Sequence, residues 1–260
     1  MRGASLFGGI VSLILVSCLI GCGGSSAYIS QVNAKAPAGT GFVDKQLRTS
    51  DGDKKYVVFT PFNYSPTKRM PLLVFLNGYG ESGRDNLKHL SVGLGPALKD
   101  RASDFPFVVL FVQTPGKWSA NGEETRTLLA AMDRTMSEYN LDPTRVVLTG
   151  MSTGGEGVWR VGAAHQQRFA ALVPVCGWSA SDTVDQLTNI PIWAFHCSGD
   201  PLIFSGNTSS MVNAINKKGG KAKYTSYGAL AHDAWTRTYS DPDVYAWMLQ
   251  QRKPQAAVMK

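Results

Sequence analysis

Short continuous apolar runs alternate along the chain with longer segments whose apolar residues recur at helical spacing. Runs of about four to eight apolar, often β-branched residues are typical of strands that are buried on both faces of a sheet. Such runs predict strands at residues 72–76, 107–112, 146–149, 171–175 and 192–195. Helical patterns are present at residues 86–100, 123–139, 155–168, 209–217 and 243–250, and Gly93, Gly95 and Pro96 interrupt the first of them.

Two further strands precede this alternation, at residues 41–48 and 54–60, and an Asp-Gly pair between them favours a tight hairpin turn. One more strand is predicted at residues 221–227. A hairpin followed by repeated strand–helix units predicts an α/β domain with a mostly parallel, twisted sheet of about eight strands and helices on both faces. Residues 176–191 leave no room for a cap domain, so we expect an open site.

The first 21 residues differ from the rest of the chain. Met1 and Arg2 provide a positive end, and residues 6–20 form an apolar run that is too short to span a membrane comfortably. The run ends in Leu-Ile-Gly-Cys, which resembles the lipobox of bacterial lipoprotein signals. The resemblance implies cleavage before Cys22, lipid attachment there, and anchoring at the outer membrane or cell surface. An ordinary secretory signal cut nearby is the alternative.

Residues 22–41 are small and polar, which predicts a flexible tether ahead of one domain at residues 42–260. Removal of the signal and lipid attachment to Cys22 leave only Cys176 and Cys197. Export makes a disulfide between these two chemically possible, since both lie at the ends of strands that we expect to be neighbours. Two separate buried thiols are the favoured alternative.

The composition is that of an ordinary globular domain, with 260 residues, 43% hydrophobic content and a formal net charge of +7. No cluster of lysines and arginines is interleaved with aromatic residues, which argues against nucleic-acid binding. The positive surplus is compatible with attraction to anionic lipid or an acidic polymer. Nothing in the pattern indicates an oligomeric state.

The most informative stretch is residues 146–155, where an apolar strand runs into the pentad GMSTG and then into a helical pattern. A G-x-S-x-G pentad between strand and helix is typical of a nucleophile elbow, a sharp turn that raises its serine, here Ser152, above the sheet edge. Glycines are needed there because a Cβ would clash. The turn also places the amide of Thr153 at a helix N-terminus, where it would stabilise a developing oxyanion.

A serine hydroxyl needs a base, and in folds with this elbow the base follows both the nucleophile and the acid along the chain. Of the four histidines, His89 precedes the elbow and His165 lies on the helix just after it. His196 lies at a strand end and has no suitable carboxylate between itself and the serine. His232, on the loop after the last strand, is therefore the predicted base.

The carboxylate that orients the base should follow the strand at residues 192–195. Asp200 occupies that position and is the predicted acid. Asp182 and Asp185 lie one strand earlier and stay open as weaker alternatives. Asp233 is adjacent to the base in sequence, which is a poor position from which to face it.

A second oxyanion donor is expected from the glycine-rich loop at residues 77–83, which follows an early strand beside the elbow. At this point four motifs together resemble a known family: LNGYGESG, GMSTGG, WAFHCSGD and AHDAW. From about residue 54 to residue 250 the chain is similar to the α/β-hydrolase esterases, specifically the small lidless branch related to polyhydroxybutyrate depolymerases and feruloyl or acetylxylan esterases. The resemblance implies an α/β-hydrolase fold and the following site: Ser152 as nucleophile, His232 as base, Asp200 as acid, and the amides of Tyr79 and Thr153 as oxyanion donors.

The chain departs from the family pattern at two positions. The pairs Asn77-Gly78 and His196-Cys197 occupy positions where the family usually has His-Gly. The replacement of histidine by Asn77 leaves open how the oxyanion loop is held. Four aromatic residues fall on loops at the carboxyl ends of strands, where ligands bind in such sheets: Tyr79, Trp118, Trp178 and Trp235. An aromatic rim there would suit an aryl acyl group or a sugar ring, and loop packing is the alternative for each.

The sequence therefore predicts an exported, lipid-anchored serine carboxylic-ester hydrolase that works through a covalent acyl-enzyme without a metal or cofactor. Its expected substrates are acyl or aryl esters of polysaccharides or similar extracellular esters. A peptidase of the same fold is less favoured, because no propeller or cap is present to select peptides. A non-catalytic envelope-binding lipoprotein is opposed by the intact Ser152, Asp200 and His232.

Overall fold

The computed structural model describes residues 22–253, which form one eight-stranded sheet with helices packed on it. The strands are β1 (Gly41–Thr49), β2 (Gly52–Thr60), β3 (Met70–Leu76), β4 (Val108–Val112), β5 (Leu141–Met151), β6 (Ala171–Val175), β7 (Ile192–Cys197) and β8 (Ala222–Tyr227). The helices are α1 (Cys22–Asn33), α2 (Leu94–Ala97), α3 (Glu123–Glu138), α4 (Thr153–Ala164), α5 (Val184–Leu187), α6 (Ser205–Lys217), α7 (Trp235–Ser240) and α8 (Pro242–Gln250).

The strand order across the sheet is β1-β2-β4-β3-β5-β6-β7-β8. β2 pairs antiparallel with both of its neighbours, and every pairing from β4 to β8 is parallel. The predicted mostly parallel sheet of an α/β-hydrolase fold is confirmed, with the hairpin as its antiparallel edge. Between β6 and β7 the chain forms only a 3-10 turn and α5, a connection as short as expected.

Both faces of the central strands are buried, which explains why their sequences are continuous apolar runs. Along β3, Leu72, Val74 and Leu76 pack in one core against α3 to α6. Leu73 and Phe75 pack in a second core against α1, α2, α7 and α8. Because β3 to β8 run parallel, the loops at their carboxyl ends meet at one edge of the sheet, and the predicted site residues lie on those loops.

Residues 22–41 are not the flexible tether that their composition predicted. α1 occupies the first twelve of them, and Tyr28 is buried in the second core. The Tyr28 hydroxyl donates to the Leu90 carbonyl at 2.6 Å, and the Asn33 side chain both donates to and accepts from the backbone of Phe42. This segment carries too few apolar residues to show a helical period, and its contacts with the sheet and the 3-10 turn order it.

The helix predicted at residues 86–100, with interruptions at Gly93, Gly95 and Pro96, forms only in part. The segment contains a 3-10 turn at Lys88–Leu90 and the short α2. Gly93 interrupts the helix with a φ of +74°. Gly95 lies so close to the backbone of Leu90 that an added Cβ would lie 2.1 Å from the Leu90 carbonyl oxygen. α5 and α7 are short helices where no element was predicted, because one or two turns carry no measurable period.

The predicted signal peptide at residues 1–21 lies outside the described residues. Cys22 is the first residue of α1, and its lipid attachment stays a prediction. Within residues 22–253, the structure contains no helix with both the length and the apolar character that a membrane crossing requires.

The glycines of the pentad allow two backbones to come unusually close. A Cβ on Gly154 would lie 2.1 Å from the carbonyl oxygen of Leu76, and a Cβ on Gly150 would lie 2.7 Å from the carbonyl oxygen of Gly154. The start of α4 is therefore pressed against the end of β3. As a result, the loop that follows β3 lies beside Ser152.

We expect Gly154→Ala to lower the free energy of unfolding by about 3 kcal/mol or more, because the Leu76 carbonyl belongs to β3 and has no room to move aside. Gly116→Ala is the matched control, since no heavy atom lies within 4 Å of a Cβ at that position. Its effect should stay within about 0.5 kcal/mol. Urea unfolding of both variants measures the difference, and equal midpoints would contradict the role of this close approach.

Candidate active site

Ser152 lies at the turn between β5 and α4 in a strained backbone conformation. Its φ of +55° and ψ of −121° belong to a region that residues with a side chain rarely adopt. The Ser152 amide donates to the carbonyl oxygen of Val175 in β6 at 2.9 Å, which holds the turn against the neighbouring strand. The side chain is thereby presented at the carboxyl edge of the sheet, where it is half-buried.

His232 lies on the loop between β8 and α7, and its two ring nitrogens face different partners. Nε2 is 2.9 Å from Oγ of Ser152, and Nδ1 is 2.5 Å from Oδ2 of Asp200. Because an ionised carboxylate only accepts hydrogen bonds, Nδ1 carries the proton and Nε2 is free to accept from the serine hydroxyl. The rings of His232 and Trp235 meet edge to face with centroids 5.2 Å apart, which restricts the rotation of the imidazole.

Asp200 follows β7, and its side chain is inaccessible to solvent. Its Oδ1 accepts the backbone N–H groups of Leu202 and Ile203 at 2.9 and 3.0 Å. Burial by itself raises the pKa of a carboxyl group, but the hydrogen bonds from His232, Ile203 and Leu202 outweigh it and hold the pKa of Asp200 below its usual value. The carboxylate is therefore ionised at neutral pH.

The other carboxylates considered from the sequence lie elsewhere. Asp182 and Asp185 are exposed, and Asp185 pairs with Lys218, just after α6, at 2.5 Å. Asp233 accepts hydrogen bonds from the backbone and side chain of Thr236 at the start of α7. Of the four candidates, Asp200 is the one that the structure brings into contact with His232.

Tyr79 and Thr153 both lie next to residues of the elbow contact. Thr153 follows Ser152 and begins α4, and Tyr79 follows Gly78 and begins a 3-10 turn. A Cβ on Gly78 would lie 3.4 Å from the Cβ of Ser152, so the oxyanion loop lies against the elbow. Among the described residues neither the Tyr79 nor the Thr153 N–H donates to a protein acceptor, which leaves both available to an oxyanion.

Glu81 is an ionisable group on the same loop. Its Oε2 would lie 2.9 Å from a Cβ on Gly78, and burial, the largest cause, raises the pKa of its carboxyl group. Glu81 therefore adds a carboxyl group with a raised pKa to the oxyanion loop.

Asn77 holds the oxyanion loop, which answers the question raised by its departure from the family pattern. Its side chain is fully buried. Nδ2 donates to the carbonyl oxygen of Gly78 at 2.8 Å, and Oδ1 accepts the N–H of Thr114 at 3.2 Å. Gln113 donates to the carbonyl oxygen of Glu81 at 3.0 Å and secures the far end of the loop.

Trp118 is not the substrate-binding residue that its loop position predicted. Its side chain is only 2% exposed, and a Cβ on Gly157 of α4 would lie 2.5 Å from the Cβ of Trp118. The indole N–H donates to the backbone carbonyl of Asn77 at 3.1 Å. Trp118 therefore supports the oxyanion loop from inside the protein and does not face a ligand.

The exposed rim of the site combines residues that the sequence placed there with residues that it missed. Trp178 and Trp235 are half-buried, and Tyr79 is 68% exposed. Three further large apolar side chains are between 71% and 87% exposed on the loops that carry the site: Leu202, Phe204 and Leu230. The sequence analysis did not name these three, although each lies within four residues of Asp200 or His232 along the chain.

His196 was set aside as a base, and it does not contact Ser152 among the hydrogen bonds of the described residues. Its Nε2 nevertheless lies 3.0 Å from Oδ2 of Asp200, the carboxylate that also contacts His232. The sequence signal was its position near the end of β7, four residues before Asp200.

One group of side chains could in principle hold a metal ion. Ligand atoms of Cys176, His196 and Asp200 lie within 4.8 Å of one another. A thiol binds metal as thiolate, and burial, the largest cause, raises the pKa of Cys176 to about 12. Cys176 and Cys197 are buried and unpaired, in agreement with the favoured alternative of two separate thiols.

Comparisons with known proteins agree with the fold and the geometry. The model of the dienelactone hydrolase family matches residues 113–255, a span of more than half the chain that contains Ser152, Asp200 and His232. No curated protein sequence matches the chain.

Several solved structures are similar to this one. A thermostable esterase is 28% identical, with a TM-score of 0.74, over 82% of this chain and 63% of that one. A ferulic acid esterase is 15% identical (TM-score 0.59; 80% of this chain and 95% of that one). An acylaminoacyl peptidase from Pyrococcus horikoshii is 12% identical (TM-score 0.65; 82% and 43%). The last two share the fold, and the chain spans less than two thirds of the thermostable esterase and of the peptidase.

We expect Asn77→Ala to lower the free energy of unfolding by about 2 kcal/mol, because the Thr114 N–H and the Gly78 carbonyl would lose a buried partner. Asn63→Ala is the control, since Asn63 is exposed. Urea unfolding compares the two variants. A loss no larger for Asn77→Ala than for Asn63→Ala would mean that this amide does not hold the loop.

Proposed function

The chain belongs to the dienelactone hydrolase family of α/β-hydrolases, and on that premise we propose that it is a serine hydrolase that cleaves carboxylic esters through a covalent acyl-enzyme. The observation that carries the proposal is the unbroken relay from Ser152 Oγ to His232 Nε2 at 2.9 Å and from His232 Nδ1 to Asp200 at 2.5 Å. This relay activates a hydroxyl that is otherwise a weak nucleophile.

The first half of the reaction is acylation. Ser152 Oγ attacks the ester carbonyl carbon while its proton passes to Nε2 of His232. The carbonyl oxygen becomes an oxyanion, which the amides of Tyr79 and Thr153 stabilise. When the carbon–oxygen bond breaks, the imidazolium returns the proton to the leaving alcohol, and the acyl group stays on Ser152.

The second half is hydrolysis of the acyl-enzyme. A water molecule gives its proton to Nε2 of His232 and attacks the acyl carbon. The oxyanion re-forms between the same two amides and collapses, and the proton returns to Ser152 Oγ as the acid leaves. Asp200 keeps its charge throughout and stabilises the imidazolium that forms in both halves.

The rim supports a substrate with an apolar acyl or aryl group. Tyr79, Leu202, Phe204 and Leu230 are exposed around the site, and contact with an apolar group would remove them from water. The fold shared with a ferulic acid esterase is in keeping with this assignment. Acyl or aryl esters of polysaccharides, or similar extracellular esters, are the proposed substrate class.

We expect Ser152→Ala and His232→Ala each to abolish nearly all hydrolysis of p-nitrophenyl esters, and the double variant to lose little more, because the two groups act as a unit. Asp200→Asn should lower kcat by about 10⁴-fold, since it would leave the imidazole in the wrong tautomer. The rate should fall on the acid side, because Nε2 of His232 must be free of a proton to accept the proton of Ser152.

Asp185→Asn is the matched control and should retain activity, because its carboxylate faces Lys218. Circular dichroism establishes that each variant is folded. A parallel panel of peptide p-nitroanilides separates the peptidase alternative, and no turnover of either class would favour a binding lipoprotein. Esterase activity in folded Ser152→Ala would overturn the mechanism.

For localisation we propose that the protein is exported and held in the cell envelope by lipid on Cys22. The apolar run at residues 6–20 and the Leu-Ile-Gly-Cys sequence after it support this proposal. Cys22→Ser should leave the precursor uncleaved or release the protein from the membrane fraction, whereas Cys18→Ser should not. Fractionation and metabolic labelling with a fatty acid measure both, and a Cys22→Ser protein that still carries the label would rule out this anchor.

A further inference from the structure

A second imidazole lies against the carboxylate that faces His232. The side chain of His196, near the end of β7, has no solvent exposure. Its Nε2 lies 3.0 Å from Oδ2 of Asp200 and 3.0 Å from the carbonyl oxygen of Ile203. Both of these atoms only accept hydrogen bonds, so Nε2 must carry a proton.

The other nitrogen of His196 faces a hydroxyl that can serve as its donor. Nδ1 is 2.7 Å from Oγ1 of Thr208 on α6, and that oxygen is also 2.8 Å from the carbonyl oxygen of Gly177. When the Thr208 hydroxyl donates to Nδ1, the Gly177 carbonyl still accepts the indole N–H of Trp159 at 3.1 Å. Thr208 therefore matches a neutral imidazole protonated at Nε2.

The surroundings of His196 favour this neutral form. Burial, the largest cause, lowers the pKa of His196, and the nearby Asp200 only partly opposes it. The titratable groups beside the ring are Asp200, His232 and the thiol of Cys176. The raised pKa of Cys176 keeps that thiol neutral, so Asp200 is the one negative charge among them.

The two imidazoles share one carboxylate oxygen. Oδ2 accepts from Nδ1 of His232 and from Nε2 of His196, while Oδ1 accepts two backbone N–H groups. Rotation of the carboxyl group about its Cβ–Cγ bond would break all four bonds. The donor from β7 therefore contributes to holding the oxygen in line with His232.

We propose that His196 is a positioning residue that orients Asp200 and, through it, His232. The inference rests on the proposed function, because it assigns His196 a task within the same relay. His196 also shares the negative charge of Oδ2. Without this donor, more charge would act on His232, and its imidazolium would be stabilised relative to the neutral base.

The decisive variants differ in whether they keep the donor. His196→Leu removes the N–H and should lower kcat for p-nitrophenyl acetate on the order of 10- to 100-fold, the range for a hydrogen bond to a charged group, with KM changed less than about twofold. His196→Gln can present an amide N–H to Asp200 and should recover most of that loss. The acid limb of the pH–rate profile should move to higher pH in His196→Leu and stay in place in His196→Gln.

A double-mutant cycle separates positioning from packing. In an Asp200→Asn background, His196→Leu should change kcat by less than about twofold, because the group that it positions no longer orients the base. A packing defect would cost the same factor in both backgrounds, and that result would overturn the proposal. Should His196→Leu not fold, Thr208→Val decides in its place, with Thr208→Ser as the variant that restores activity.

A readout without substrate keeps this test distinct from that of the proposed function. The proton between His232 Nδ1 and Asp200 should give a strongly deshielded ¹H NMR signal, absent in His232→Ala. This signal should shift or broaden in His196→Leu and persist in His196→Gln. An unchanged signal and an unchanged kcat in folded His196→Leu would refute the positioning role, even if Ser152 proves essential. Failure of Ser152→Ala to lose activity would instead refute the proposed function.

Discussion

The burial of one ionised carboxylate is the constraint on which the site depends. The Asp200 side chain has no contact with solvent, and a buried charge is costly unless each of its oxygens finds donors. The turn after β7 supplies two backbone N–H groups, and His196 and His232 supply one each. The same bonds that stabilise the charge also set the direction in which it points, so the fold of this turn and the orientation of His232 have a common cause.

Close approach of backbones has a similar double role on the other side of the site. Gly150 and Gly154 let the start of α4 press against the end of β3, and Ser152 is held between them in a strained conformation. The oxyanion loop follows β3 directly, so this contact also brings its amides beside the serine. Asn77 and Trp118 then fix the loop through buried hydrogen bonds. The scaffold is rigid where the chemistry requires alignment.

The outer surface of the site differs from this interior. The side chains of Asn77, His196 and Asp200 are buried and hydrogen-bonded, whereas the rim is formed by exposed apolar side chains on the same loops. A rigid relay beneath an open apolar rim matches an enzyme that positions the reacting bond strictly and contacts the rest of its substrate by apolar burial. The comparisons establish a hydrolase family and a fold shared by esterases and peptidases.

The sequence by itself determined the strands, their parallel arrangement and the identity of Ser152, Asp200 and His232 as candidates, because apolar runs, chain order and the pentad are local patterns. It did not determine α1, where contacts with the sheet decide the outcome, or how little of residues 86–100 is helical, where Gly93 adopts a positive φ. It also misplaced Trp118 and passed over His196 and Leu230. The local sequence of a loop does not show whether a side chain points into the protein or into solvent. Only the packing of segments far apart along the chain fixes that direction.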